Sequence, residues 1–279
     1  MIGARWRPYA LVGPSLGLFA FLFVAPLVYF FLVSFWQFRS YRLVHEPTLA
    51  NYAEVLRTYL PLVGFTLGMA VAIALCSLCF GFLYAFIIRF KAGRYGPALL
   101  FIALVTLFGG YLMKVYAWRT ILGTEGIING VLLQLGLVDQ PVTWLLYNPP
   151  AVVITLTHFL CPFSVLPLAA VMRTIGDIEL EAARDLGASP WRILVDHILP
   201  RCRSGIVAAF VLPFLISCGD WVTPVLVGGR MTMLGNLIAA QFGEFLNWPL
   251  GAAMSFTLLG AALLVIGAFV AVTHLVRPR

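Results

Sequence analysis

Charge is scarce in this sequence of 279 residues. Asp and Glu number eleven, Lys and Arg eighteen, and charged residues make up only 10% of the chain, against about 25% in a soluble domain. Hydrophobic residues fill 62% of positions. A soluble chain this apolar could not cover its own surface, so an integral membrane protein is expected. Lysine is rarer still. Lys91 and Lys114 are the only two, and neither follows a Gly-x-x-x-x-Gly pattern, which excludes a nucleotide-binding P-loop in this chain. The five cysteines form no disulfide pattern. Cys76, Cys79, Cys161 and Cys218 lie in apolar runs and Cys202 in a basic loop. Cys76-x-x-Cys79 has a redox or zinc spacing, but inside an apolar helix small buried thiols are the simpler reading. His158 and Cys161 share a helix face with no further ligand nearby in sequence, so no metal is expected. The net charge of +7 is spread over short gaps between apolar runs. That pattern suits membrane orientation and not nucleic-acid binding.

What is abundant is uninterrupted apolar sequence. A bilayer core of about 30 Å needs about 20 apolar helical residues. The pattern predicts an all-α, polytopic fold with six spans near 11–36, 62–89, 97–119, 150–172, 204–227 and 250–274. The first run is longer than a signal-peptide core and lacks a clear small-x-small site, so it reads as an uncleaved span. With the N-terminus inside, inner segments hold twelve Lys and Arg, among them Arg5, Arg7, Arg89, Arg184, Arg201, Arg277 and Arg279, against six in outer segments. The positive-inside rule then places both termini in the cytoplasm. Gly126 to Val138, in the longest outer loop, reads as a short surface helix.

Between the fourth and fifth spans lies a polar inner loop, 173–203. Asp177 is expected to cap a helix, with Glu179 and Glu181 in its first turns to suit the dipole. Gly187 lets the chain leave that helix. Ser189 and Pro190 then start a second short helix, Trp191 to His197, which Pro200 ends or kinks. Ala182, Ala183, Gly187 and Ala188 make a smooth helical knob, and Glu181 and Arg184 offer polar contacts at its rim. From these features alone, a capped inner loop and a docking knob are equally admissible.

Glu181-Ala182-Ala183, then Gly187, Ala188 and Ser189, then Leu199-Pro200, resembles the EAA loop of ABC importer permeases. His197 departs from that pattern, which usually has Ile there. Thr124-Glu125-Gly126, Asn129, Gly228-Gly229, Gly235-Asn236 and Asn247-Trp248-Pro249 extend the likeness to the spermidine/putrescine permease family, in particular to the first of its two permease subunits. The resemblance implies a type I ABC importer permease fold, a single transmembrane domain over 1–279. It also implies residence in the bacterial inner membrane and no catalysis by the chain itself. Its partners would be a second homologous permease subunit, two ATP-binding subunits carrying ATP and Mg, a periplasmic solute-binding protein and lipid. Related permeases serving aminoethylphosphonate or gamma-aminobutyrate remain alternatives. A stand-alone secondary transporter would need more spans, an internal repeat and buried ion-coupling residues.

Asp220 is the one acidic residue within a predicted span. Such a charge usually faces a bundle interior or a water-filled path. It reads as a weak site for a cationic solute, as a helix-packing hydrogen bond, or as an interfacial position. An intramembrane aspartyl protease would need a second membrane aspartate, and none is present. Lys114, with Tyr111 and Trp118 near the outer end of the third span, snorkels to the interface or lines the path opposite Asp220. Gln241 and Glu244, before the sixth span, face a binding protein, the solute or solvent.

Overall fold

The computed structural model describes residues 12–39 and 42–275. The inner-terminal arginines Arg5, Arg7, Arg277 and Arg279 lie outside the described residues. In chain order the elements are α1 (Val12–Val33), a hairpin of β1 (Gln37–Arg39) and β2 (Arg42–Val44) in antiparallel register, and α2 (Ala50–Phe90). There follow α3 (Gly96–Phe108), α4 (Tyr111–Leu122), α5 (Ile127–Gln134) and α6 (Pro149–Met172). The chain continues through α7 (Asp177–Asp185), α8 (Pro190–Arg201) and α9 (Arg203–Gly219). It closes with α10 (Val222–Val227), α11 (Leu234–Gly243) and α12 (Trp248–Leu275).

Among the described residues four helices, α1, α2, α6 and α12, are long and apolar enough to cross a membrane alone, or up to six spans when each bent pair counts as one. The predicted second span is too short. α2 has 41 residues, about 60 Å at 1.5 Å per residue, and begins in the polar segment around Asn51 and Glu54. The third span is not a straight helix. It breaks at the extended pair Gly109–Gly110, and Gly93–Phe108 and Tyr111–Gln134 are bent by 98°. The fifth breaks at Asp220, between α9 and α10.

Three helical turns widen to an i→i+5 pattern shortly before a proline: Ala20–Val24 before Pro26, Val55–Tyr59 before Pro61, and Ile193–Ile198 before Pro200. Proline lacks an N–H and its ring presses on the carbonyl four residues back. A widened turn relieves that clash and lets the helix run on. The second loop helix therefore does not stop at Pro200. It runs to Arg201, and the chain turns by 69° into α9.

Two compact units make up the chain, residues 1–60 with 237–259 and residues 61–236 with 260–279. In the first, Asn51 Nδ2 donates to the carbonyls of Ser34 (2.9 Å) and Trp36 (2.8 Å), and the Ser34 and Tyr52 hydroxyls meet at 2.8 Å. Phe30 stacks on Trp248 and meets Phe242 edge-on, and Phe31 meets Phe256. In the second, α2, α6 and α9 form the core. The Ser164 hydroxyl donates to the Ala209 carbonyl at 2.7 Å, and Gly81 lies so close that an added Cβ would stand 2.5 Å from that of Ser164. One apolar cluster, with Met69, Ile73, Leu122, Leu156 and Val227, fills the end of α6 where it begins. Another, with Leu168, Met172, Ile198 and Cys202, fills the end where it finishes.

Candidate functional site

The 177–201 knob is built on that second cluster. Leu180 and Ala183 of α7 and Ile193 and Ile198 of α8 are buried together with Met172, Ile175 and Cys202. Asp177 does not cap α7. Gly176 occupies the cap position, and Asp177 is the first helical residue. Its carboxylate accepts from Arg89 Nη2 at 2.7 Å, and the same nitrogen donates to the Ile175 carbonyl at 2.7 Å. Arg201 pairs with Glu179. These two ion pairs fasten α7 to α2 and α8. Gly187 takes φ +82°, and the amides of Gly187 and Ala188 donate to the carbonyls of Arg184 (2.8 Å) and Ala183 (3.0 Å). That is the paired Schellman pattern, which closes the last turn of α7. The Ser189 hydroxyl accepts from the Arg192 amide at 3.3 Å, as an N-cap does, with Pro190 at the first helical position.

The motif residues divide by exposure. Glu181, Ala182, Gly187 and Ser189 are exposed, Ala188, Leu199 and Pro200 are half-buried, and Ala183 is buried. Ala183 is therefore part of the knob's base. The departure at His197 is absorbed by the widened turn: His197 is exposed and Ile198 fills the core. Sequence reasoning missed three apolar side chains on the outside of the knob. Ile178, Leu186 and Trp191 are 82%, 89% and 72% exposed. Their signal was available, since they are apolar residues out of phase with the buried stripe in a polar loop.

Of the residues expected to line a path, the structure joins Tyr111 and Asp220. Asp220 Oδ1 accepts from the Tyr111 hydroxyl at 2.5 Å and from the amides of Val222 (3.1 Å) and Thr223 (3.4 Å). The Tyr111 hydroxyl also meets the Thr223 hydroxyl at 2.7 Å. Asn236, unremarked as a site residue, donates to the Trp221 carbonyl at 2.5 Å. Lys114 does not pair with Asp220. It reaches back to the Thr106 carbonyl and lies 5.2 Å from the Phe159 ring centre. It thus caps the end of α3 that the Gly109–Gly110 break leaves without partners. Trp118 meets His158 edge-on in an apolar cavity of about 430 Å³ that also takes in Tyr84, Cys76 and Cys161. Gln241 and Glu244 belong to the other unit, Gln241 buried and Glu244 exposed.

At the end of α6 opposite the knob, a cleft of about 530 Å³ includes Tyr116, Arg119, Glu125 and Tyr147 in its walls. Tyr147 holds φ +63°, and its hydroxyl accepts from Arg119 at 3.4 Å. Asn129 fastens this loop through the Gly123 carbonyl (2.9 Å) and both backbone groups of Val142 (3.1 and 2.7 Å). The short helix expected after Gly126 is α5.

Comparison with known proteins places these features. Residues 92–278 match the family described as the binding-protein-dependent transport system inner membrane component. The chain is 36% identical over 223 residues, 78% of its own length and 81% of the relative's, to the spermidine/putrescine transport system permease protein PotB of Escherichia coli (strain K12). Its fold matches a chain of a bacterial ABC transporter involved in the import of the acidic polysaccharide alginate. The TM-score is 0.77 at 16% identity, covering 99% of this chain and 96% of the other. A second structure, of the alginate transporter in complex with an alginate pentasaccharide-bound periplasmic protein, matches with a TM-score of 0.73 at 17% identity, covering 96% and 94%.

Proposed function

Because the chain belongs to the family of binding-protein-dependent transport system inner membrane components, we propose that it forms half of an importer's path for a small amine, and specifically for a polyamine such as spermidine or putrescine. It is a multi-pass inner-membrane permease subunit and a transport component. The amine is inferred from the PotB relative, because the shared fold also serves an acidic polysaccharide and so carries no information on solute.

The observation that carries the mechanism is the knob, a helical elbow fixed by two ion pairs with Ile178, Leu186 and Trp191 turned outward. In this reading a groove on a separate ATP-binding subunit covers those side chains. ATP and Mg reside on that subunit, present in two copies, and a second homologous permease completes the path. The knob is not a loose tether. Its buried face shares a cluster with Met172 of α6 and Ala209 of α9, so a push on α7 moves the helices without being lost in loop motion. The cleft at the opposite end of α6 faces the side from which a periplasmic binding protein delivers solute, and both termini lie with the knob in the cytoplasm.

Reconstitution tests the whole reading. Proteoliposomes carrying this chain with its second permease and ATPase subunits should accumulate labelled putrescine only with internal ATP and an external loaded binding protein. Accumulation without the ATPase subunits would make this a secondary transporter. Uptake of aminoethylphosphonate or gamma-aminobutyrate in place of putrescine would move the solute assignment to those relatives.

A further inference from the structure

We propose that Asp220 is the acceptor for an alkylammonium group inside the bundle, at the joint between α9 and α10. This rests on the amine reading above and specifies where the cation is held. Only 9% of Asp220 is exposed, and its two oxygens have different fates. Oδ1 is saturated by the Tyr111 hydroxyl and two backbone amides. Oδ2 is buried and receives no hydrogen bond. A buried carboxylate oxygen without a donor is costly, and an uncompensated charge more so.

Nothing among the described residues supplies the missing positive charge. Arg89 and Arg201 are engaged with Asp177 and Glu179 at the knob. Lys114 spends its ammonium on the Thr106 carbonyl and the Phe159 ring. The setting increases the demand for a cation. Asp220 directly follows the C-terminus of α9, a helix of 17 residues, whose dipole presents partial negative charge there. The first two amides of α10 offset part of that charge through Oδ1, and Oδ2 is left for a cation. A primary ammonium has three donors and a full charge, and it can enter and leave where a fixed side-chain cation could not. Broken spans recur at the ion and solute sites of membrane transporters because only a break offers polar groups at membrane depth.

Tyr111 is a positioning residue. It starts α4 directly after the Gly109–Gly110 break, and its hydroxyl ties that break to Asp220 and Thr223. It holds Oδ1 so that Oδ2 faces away from the backbone amides. The solute is thereby bound where two spans are jointed.

The test uses the complete complex in proteoliposomes. Asp220→Asn keeps an oxygen for Tyr111 and the two amides and removes only the charge. Putrescine uptake should fall at least tenfold. Asp220→Glu should recover part of the uptake. Tyr111→Phe should raise KM for uptake severalfold with kcat little changed. Normal uptake kinetics in Asp220→Asn overturn the site. If Asp220→Asn does not assemble with its partners, the Tyr111→Phe kinetics decide: a raised KM supports the site and an unchanged KM overturns it. A wild-type complex that takes up no amine overturns the amine reading instead, so the two failures are separable.

Discussion

Gly187 carries the tightest constraint on the knob. Its φ of +82° is a left-handed conformation, and an added Cβ would meet nothing within 4 Å. Substitution there tests backbone conformation without a clash inside this chain. Asparagine tolerates that conformation and valine does not, the strain for ordinary residues being about 1–2 kcal/mol. Gly187→Asn should keep solute uptake per ATP near wild type. Gly187→Val should lower it about tenfold by opening the Schellman turn. Equal coupling in the two variants, measured as putrescine accumulated per ATP hydrolysed, would remove the turn from the coupling path. Gly187 and Ser189 were legible in the sequence because their preferences are local. Asp177 was not, because its partner Arg89 lies 88 positions away and one residue separates a cap from a first-turn acid. The unused oxygen of Asp220 was illegible for the same reason, since the hydroxyl of Tyr111 lies 109 positions from it.

Apolar run length identified the spans but could not reveal where they break. Hydropathy is nearly continuous across Gly109–Gly110, and a helix and a joint have the same composition in such a run. Hydropathy also starts α2 too late, because a helix can extend into the polar segment ahead of its apolar run once its backbone bonds are established. The widened turns before Pro26, Pro61 and Pro200 show a helix adjusting its pitch where sequence rules expect a stop. Packing between elements is more demanding. At Gly81 the backbone of α2 lies against Ser164 of α6, whose hydroxyl is committed to the Ala209 carbonyl on α9. A methyl group there must push Ser164 and stretch that bond, at a cost of about 1–3 kcal/mol by overpacking. Gly81→Ala should lower the melting temperature of the detergent-purified complex by about 5 °C, and adding Ser164→Gly should restore part of the loss. An unchanged melting temperature would mean that α2 and α6 are not locked together.

At the scale of the whole molecule, the reading requires the knob and the cleft to face opposite compartments. α6 joins them and has 24 residues, about 36 Å at 1.5 Å per residue, enough to clear a hydrocarbon core of about 30 Å. A membrane-impermeant maleimide can report each end. The native thiol nearest the knob, Cys202, is buried and pushed up to about 11, so about one in a thousand is thiolate at pH 8 and background labelling at the knob is low. A cysteine replacing Leu186 should be labelled in inside-out vesicles and spared in spheroplasts. A cysteine replacing Thr124, in the cleft wall, should show the reverse. Bound ATPase subunits should then protect the Leu186 position and leave Thr124 unaffected, because only the knob faces the motor. Labelling of both positions from one side would mean that α6 does not cross the membrane. A reversed pattern would put the knob on the delivery side, where no nucleotide-driven subunit can reach it.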